Sequence, residues 1–479
     1  MNRLARLDHR YLWHPFTQMQ DWLKREPIVI IEGKGAVLRD ARGREYLDAN
    51  SSIWTNLHGH NHPKINNAIQ RQLKRIAHSS ALGLANEPAS LLGEKLVSLA
   101  NSSGNNRSGS KSSHRLDKVF FSDDGSTAME VALKLAYEHA RRSGRSKNPK
   151  FLSLDGAYHG DTVGAVSLGH IDLFHQNYSR LMFKTDKVAA PYCYRCPFNR
   201  AKPARADARE YRKCNWECLS KLEQKFESQR KKGNNYAGFV FEPLMQGAAG
   251  MIPQPRGWLG KATEIARGFG ALLIADEVMT GFGRTGIGKS ENGRVSFACQ
   301  QESVQPDFLA VAKGMTGGYL PMAATLTTQQ VFDSFLGKYH EFKTFYHGHS
   351  FTGNQLGAAA ALASLEILGS LRSFRARQSL ESSLRQELQT LWSLAHVGDI
   401  RQVGLVAGIE LVKDWQTRER FDVRGRVGAR VCEAMARHGV LTRPIGDVVV
   451  LMPPYCSSEK QLRRMVTALK QALIETLQE

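Results

Sequence analysis

The feature that most constrains this chain is a pattern repeated between residues 118 and 325: short apolar runs that each stop at a polar residue and a turn. A-L-L-I-A-D-E-V (271–278) breaks at Asp276, and P-D-F-L-A-V-A-K-G (306–314) breaks at Lys313. F-V-F-E-P (239–243) breaks at Glu242, and F-L-S-L-D-G-A-Y-H-G (151–160) ends in a turn carrying Tyr158. V-F-F-S-D-D-G-S (119–126) runs into Gly125 and Ser126. Runs this short and this apolar read as buried strands. Helix-like stretches separate them, and that alternation predicts an α/β fold with a mostly parallel sheet covered on both faces. Ligands of such sheets bind at the carboxyl ends of the strands, so all these polar residues are expected along one edge.

The residue types suit one chemistry. A poorly solvated lysine can keep a lowered pKa and form a Schiff base with an aldehyde cofactor. A carboxylate beside it can hold a pyridine nitrogen protonated, as pyridoxal 5′-phosphate requires. Tyr158 could stack its ring on a planar cofactor. Gly125 and Ser126 precede Thr127-x-x-Glu130, which reads as a capping box, and the amides of a helix opening there would receive a phosphate. Taken alone, Lys313 reads equally well as solvent-facing and Asp276 as a helix cap. The combination of strand ends carries the inference.

The rest of the chain frames that sheet. Residues 1–62 read as an N-terminal segment of a smaller domain, with short antiparallel strands at 27–32 and in A-V-L-R-D and R-E-Y-L-D-A. Residues 63–355 read as the large domain, opening with helical periodicity to about residue 100. Residues 101–115 are Ser-, Gly- and Asn-rich without an apolar anchor, and are expected to be a disordered insertion. Residues 356–479 read as the C-terminal part of the small α+β domain, beginning with a helix over A-A-A-A-L-A-S-L-E-I-L.

The net charge of +20 permits an anionic partner, but the basic residues are scattered or sit in polar loops, which favours a solvated surface over a nucleic-acid site. No run is apolar enough for a membrane span, and no apolar signal core precedes W-H-P-F at Trp13, so a soluble cytoplasmic enzyme is the expectation. Seven cysteines are an odd number and argue against a disulfide framework. Four of them, Cys193-x2-Cys196 and Cys214-x3-Cys218, have spacing close to a zinc ribbon; the alternative is a surface loop with reduced thiols. A basic zinc-ribbon nucleic-acid binder would use the charge and these cysteines, yet leave the polar strand ends unexplained.

G-S-T-A-M-E-V-A (125–132), Y-H-G-D-T (158–162), D-E-V-M-T-G-F-G-R-T-G (276–286) and A-K-G-M-T-G-G-Y-L-P (312–321) resemble the class III (ω-amino) aminotransferases of the type I pyridoxal-phosphate fold. The resemblance spans nearly the whole chain, apart from 101–115 and the 193–218 loop. It implies Lys313 as the cofactor-bound lysine, Asp276 at the pyridine nitrogen, Tyr158 over the ring, and Gly125 and Ser126 at the phosphate. Glu242 is expected beside the cofactor. The resemblance also implies a homodimer, in which Ser350, with His349 before it, completes the phosphate site from the second subunit.

Finer motifs, W-H-P-F-T-Q-M (13–19), N-S-S-I-W-T-N-L-H-G-H-N-H-P (50–63) and L-T-R-P-I-G-D-V-V-V-L-M-P-P (441–454), resemble the branch that forms 7,8-diaminononanoate from 8-amino-7-oxononanoate in biotin biosynthesis. By position, Phe16, Trp54 and Gly348 line the substrate channel and Arg443 clamps a carboxylate, for which a planar guanidinium in a rigid turn is suited. Another ω-aminotransferase, of the 4-aminobutyrate, ornithine or β-alanine type, would share the cofactor residues. Members using S-adenosylmethionine as donor typically have Tyr where Phe16 stands and Thr where Ser350 stands. H-G-H-S-F-T-G-N-Q and H-V-G-D-I-R-Q look closer to the lysine-using branch, so L-lysine is the expected donor and S-adenosylmethionine the alternative.

Overall fold

A computed structural model describes residues 1–102, 114–286 and 297–477. Most of the 101–115 insertion, residues 103–113, therefore lies outside the described residues.

The expected sheet is present. Seven strands lie in the order Leu116–Ser122, Ala323–Thr328, Phe308–Val311, Leu272–Asp276, Tyr236–Phe241, Lys150–Leu154, Asp186–Val188. All are parallel except Ala323–Thr328, which runs antiparallel to both neighbours. The central strands have no exposed residue: Tyr236–Phe241, Leu272–Asp276 and Phe308–Val311 are buried throughout. Burial on both faces explains why they read as continuous apolar runs without alternation. The 18-residue helix Gly125–Arg142 packs on the sheet, setting Ala128, Val131, Ala132, Leu135 and Ala136 against Ile274, Phe308 and Ala310.

Ala323–Thr328 has no counterpart among the sequence-predicted strands. Apart from Leu326, its residues, A-A-T-L-T-T, are small or hydroxylated, and the buried hydroxyls bond to carbonyls: Thr325 donates to Ala128 and Thr327 to Asp307. A strand satisfied in this way carries no apolar signal.

Two further four-stranded sheets hold the chain ends. Ile30–Lys34, Val37–Asp40 and Glu45–Asp48 form the expected antiparallel set, and Val440–Leu441 joins Glu45–Asp48 in parallel. The other sheet combines Val397–Val403, Val406–Leu411, Pro444–Ile445 and Val448–Leu451. The helical stretch after residue 62 is two helices, Pro63–Arg75 and Glu87–Ala100. The Gln355–Leu368 helix stands where the alanine-rich run placed it. No helix among the described residues is long and apolar enough to cross a membrane.

Candidate active site

The strand ends converge as the topology requires. Asp276 is the last residue of its strand, Glu242 follows Phe241, and Lys313 lies two residues beyond Val311. These strands are adjacent and parallel, so one edge of the sheet presents two carboxylates and an amine.

Each side chain is held. Asp276 Oδ1 accepts from the Val278 amide at 3.0 Å and Oδ2 from His159 Nδ1 at 2.8 Å. Glu242 accepts from the amides of Tyr158 at 3.3 Å and Gly247 at 2.8 Å. Burial pushes the Glu242 carboxyl up to about 7, with Asp276 adding to the shift and His159 opposing it. Burial likewise pulls the Lys313 ammonium below the usual lysine value, against the attraction of Asp276 and Glu242. Lys313 Nζ lies 4.7 Å from the centre of the Trp54 ring. Its backbone is left-handed, φ 42°, a conformation unfavourable for a side-chain-bearing residue that persists only where surroundings impose it.

The Tyr158 hydroxyl donates to Asp161 at 2.8 Å, and burial followed by that carboxylate raises its pKa above the ordinary phenol value. An aromatic row leads outward: Tyr158 meets Phe174 edge-on at 6.1 Å, and Phe174 meets Phe16 at 5.2 Å. Trp54 ends a run of four positive φ angles, Ser51, Ser52, Ile53 and Trp54. Asp48 supports the run, accepting from the amide and hydroxyl of Ser52, while the indole donates to Asn50 at 2.9 Å.

The Gly125–Arg142 helix corrects the expected cap. Its N-cap is Asp124, whose carboxylate accepts from the Thr127 amide while Thr127 reaches back to Asp124. Glu130 instead accepts from the amides of Gly164 and Ala165, capping the neighbouring Val163–Leu168 helix. The side chain at position 130 points across to another element, which spacing along one helix does not reveal. The amides of Gly125 and Ser126 have no acceptor among the described residues, while the Ser126 hydroxyl is shared with Thr162 at 2.8 Å. A Cβ on Gly125 would stand 2.6 Å from Val278 Cγ1, so only glycine lets this helix start approach the segment after Asp276.

These features fit pyridoxal phosphate: free helix-start amides for the phosphate, a carboxylate fixed by two donors for the ring nitrogen, and an amine of lowered pKa for the aldehyde. Two residues in this arrangement escaped the sequence reading: His159 behind Asp276 and Asp161 beside Tyr158. Both lie in the quoted Y-H-G-D-T run, where the density of polar residues after a strand was the available signal.

Other expected residues lie farther out. Gly348, His349 and Ser350 are exposed, and His349 Nδ1 is 3.4 Å from Asp123 Oδ2. Among the described residues no hydrogen bond joins Ser350 to its own chain's Gly125–Ser126 turn. Arg443 is exposed with no carboxylate partner among the described residues, though Ile445, two residues on, packs in the same apolar cluster as Trp54. Arg284 is buried and donates to the carbonyls of Pro453 and Asn56, tying a wall of the site to both chain ends.

Comparisons with known proteins identify the family. Residues 19–473 match the family Aminotransferase class-III. The adenosylmethionine-8-amino-7-oxononanoate aminotransferase of Geobacter sulfurreducens is 46% identical, covering 97% of this chain and 96% of the relative. The crystal structure of the protein of that name from Methanocaldococcus jannaschii superposes with a TM-score of 0.87 at 38% identity, covering 99% of both chains. A PLP-bound amine transaminase from an uncultivated Pseudomonas species superposes at 0.85 with 30% identity, covering 97% of this chain and 98% of that one. The family implies pyridoxal phosphate as cofactor, and the chain belongs to the class III aminotransferases.

Proposed function

We propose that this enzyme transfers an amino group to 8-amino-7-oxononanoate, giving 7,8-diaminononanoate, with S-adenosylmethionine as donor. The reading rests on relatives at up to 46% identity, matched over 82–97% of their own length, whose names state that acceptor and that donor. L-lysine, the donor expected from the likeness of H-G-H-S-F-T-G-N-Q and H-V-G-D-I-R-Q to the lysine-using branch together with Phe16 and Ser350, appears in none of these names and is the competing arm of the test.

When bound, pyridoxal phosphate supplies an aldehyde carbon for the donor's amine and a ring that takes up the electron pair released at the neighbouring carbon. Lys313 would hold the cofactor; once displaced by the donor, its Nζ is the base that carries a proton from the donor's amine-bearing carbon. Burial favours that role by keeping the amine less basic than a surface lysine. Asp276, oriented by His159 and the Val278 amide, would hold the proton on the ring nitrogen. Gly125 and Ser126 would bind the phosphate, Tyr158 would flank the ring, and Glu242 would lie beside it as a carboxyl that is neutral below about pH 7. Trp54 and Phe16 would form apolar channel walls and Arg443 would receive the acceptor's carboxylate.

The site is proposed to be complete only in a homodimer. Segments near residues 78–84 and 351–353 adjoin, as the 4.8 Å approach of His78 and Phe351 shows, and they leave Leu82 92% and Phe351 56% exposed. A second copy covering this apolar surface would bring its Ser350 loop toward the phosphate. The division at residues 62 and 355 is proposed on the same reading, since strands from both chain ends share one sheet.

The test is a pair of half-reactions. Enzyme mixed with S-adenosylmethionine should pass to its amine-loaded form faster than with L-lysine, and 8-amino-7-oxononanoate should return it to the starting spectrum. Faster loading by L-lysine overturns the donor. Failure of 8-amino-7-oxononanoate to discharge the loaded enzyme, where 4-aminobutyrate-type oxo acids succeed, overturns the acceptor.

A further inference from the structure

Four cysteines that amino transfer does not use meet at one place. Cys193 and Cys196 bracket the single turn Cys193–Arg195, and Cys214 and Cys218 bracket the start of the Glu217–Lys231 helix. All four border one cavity of about 10 Å³, closed by Pro191, Pro255 and Trp216, with no carboxylate in its wall. A void of that size accepts a single small guest.

The thiols are mutual neighbours: the other three all act electrostatically on Cys193. None is in a disulfide. No three His, Cys, Asp or Glu side chains among the described residues are already arranged to hold a metal. A divalent ion displaces thiol protons and gathers thiolates to about 2.3 Å, which would draw the four inward from the cavity wall they share. Arg212 Nη1 already faces Cys214 Sγ at 3.1 Å, a cation placed to offset thiolate charge.

The segment between the pairs has a mechanical reason for such a clamp. Residues 197–213 bury a single hydrophobic residue, Ala208. The segment is instead tied to the C-terminal sheet and the turn before it: Arg209 donates to the carbonyl of Gln402 at 2.8 Å and Arg205 to that of Leu394 at 3.0 Å. At its root, Arg195 pairs with Glu410 at 2.6 Å. It is a strap laid over that sheet, with both feet at the cysteine cavity.

We propose that Cys193, Cys196, Cys214 and Cys218 bind one zinc ion, which fixes the feet of this strap. Four thiolates in a closed, carboxylate-free wall select a soft tetrahedral ion over calcium or magnesium.

The experiment uses the full-length holoenzyme, produced with zinc in the medium and kept reduced. Elemental analysis should find about one zinc per chain, lost when Cys196→Ser is combined with Cys214→Ser. Cobalt exchanged into the unaltered protein should show the ligand-field bands of tetrahedral thiolate coordination, to the red of the cofactor's absorption; this arm does not depend on the variant folding. Stripping the metal should lower the melting temperature while bound cofactor stays stoichiometric. Absence of zinc together with absence of the cobalt bands overturns the proposal, as does zinc retained in the double variant or a disulfide found between any two of the four. The reading of the amino-transfer site is untouched by either result.

Discussion

Gly125 and His159 show how little tolerance the proposed cofactor site has. Gly125→Ala would place a methyl 2.6 Å from Val278 Cγ1, and the helix start must then retreat. Overpacking of this kind costs about 1–3 kcal/mol, here drawn from cofactor affinity. Dialysis should therefore strip pyridoxal phosphate from the variant faster than from the parent; equal retention would place the phosphate elsewhere. His159→Leu would leave one oxygen of a buried carboxylate without its donor, at a cost of about 1–3 kcal/mol. Turnover should fall, and the pH dependence of the bound cofactor's absorbance should shift, because Asp276 would lose its orienting partner. A drop in stability with an unchanged absorbance titration would reduce His159 to a packing residue.

The elements around the site differ in how openly the sequence announces them. Lys313, Asp276 and Glu242 stood out because buried parallel strands are apolar throughout, so the first ionisable residue after each marks its end. Thr127 and Glu130 have the spacing of a capping box, but the helix begins at Gly125 and Glu130 serves a different helix. Ser51–Trp54 was invisible for another reason: its left-handed residues include no glycine, and long-range bonds hold it, including Ser51 to the Met452 carbonyl at 2.6 Å. Each such residue costs about 1–2 kcal/mol and needs outside support. Asp48→Ala removes that support, together with the His60 contact at 2.9 Å. The variant should be less stable by about 3 kcal/mol and should lose the fixed position of Trp54. Denaturant titration and the KM for the acceptor would read the two effects; a stable variant with unchanged KM would show that the turn holds itself.

Across the molecule, buried carboxyls set a pH dependence of stability that is independent of the cofactor. Glu277 accepts from the amides of Ala298 and Cys299, and burial pushes its pKa from the usual 4.5 up to about 7. Its folded-state pKa is raised, so the folded protein holds a proton that the unfolded chain has released. Stability is lost as pH rises from about 4.5 through about 7, and this contribution is constant above that range. Glu277→Gln should flatten the melting-temperature profile between about pH 5 and about pH 7. An unchanged slope would assign the dependence to other groups. The proposed homodimer belongs to the same level: sedimentation should give twice the 53.4 kDa chain mass.

The most direct test of the catalytic site is chemical. Holoenzyme reduced with borohydride fixes the cofactor to whichever lysine carries it, and peptide mass mapping identifies that residue. The phosphopyridoxyl group is predicted on Lys313, with the variant Lys313→Ala folded, unlabelled and slower by at least about 10²–10⁴-fold through loss of its proton-transfer base. Label on any other lysine, or a Lys313→Ala protein that keeps substantial turnover, would contradict the assignment of the site.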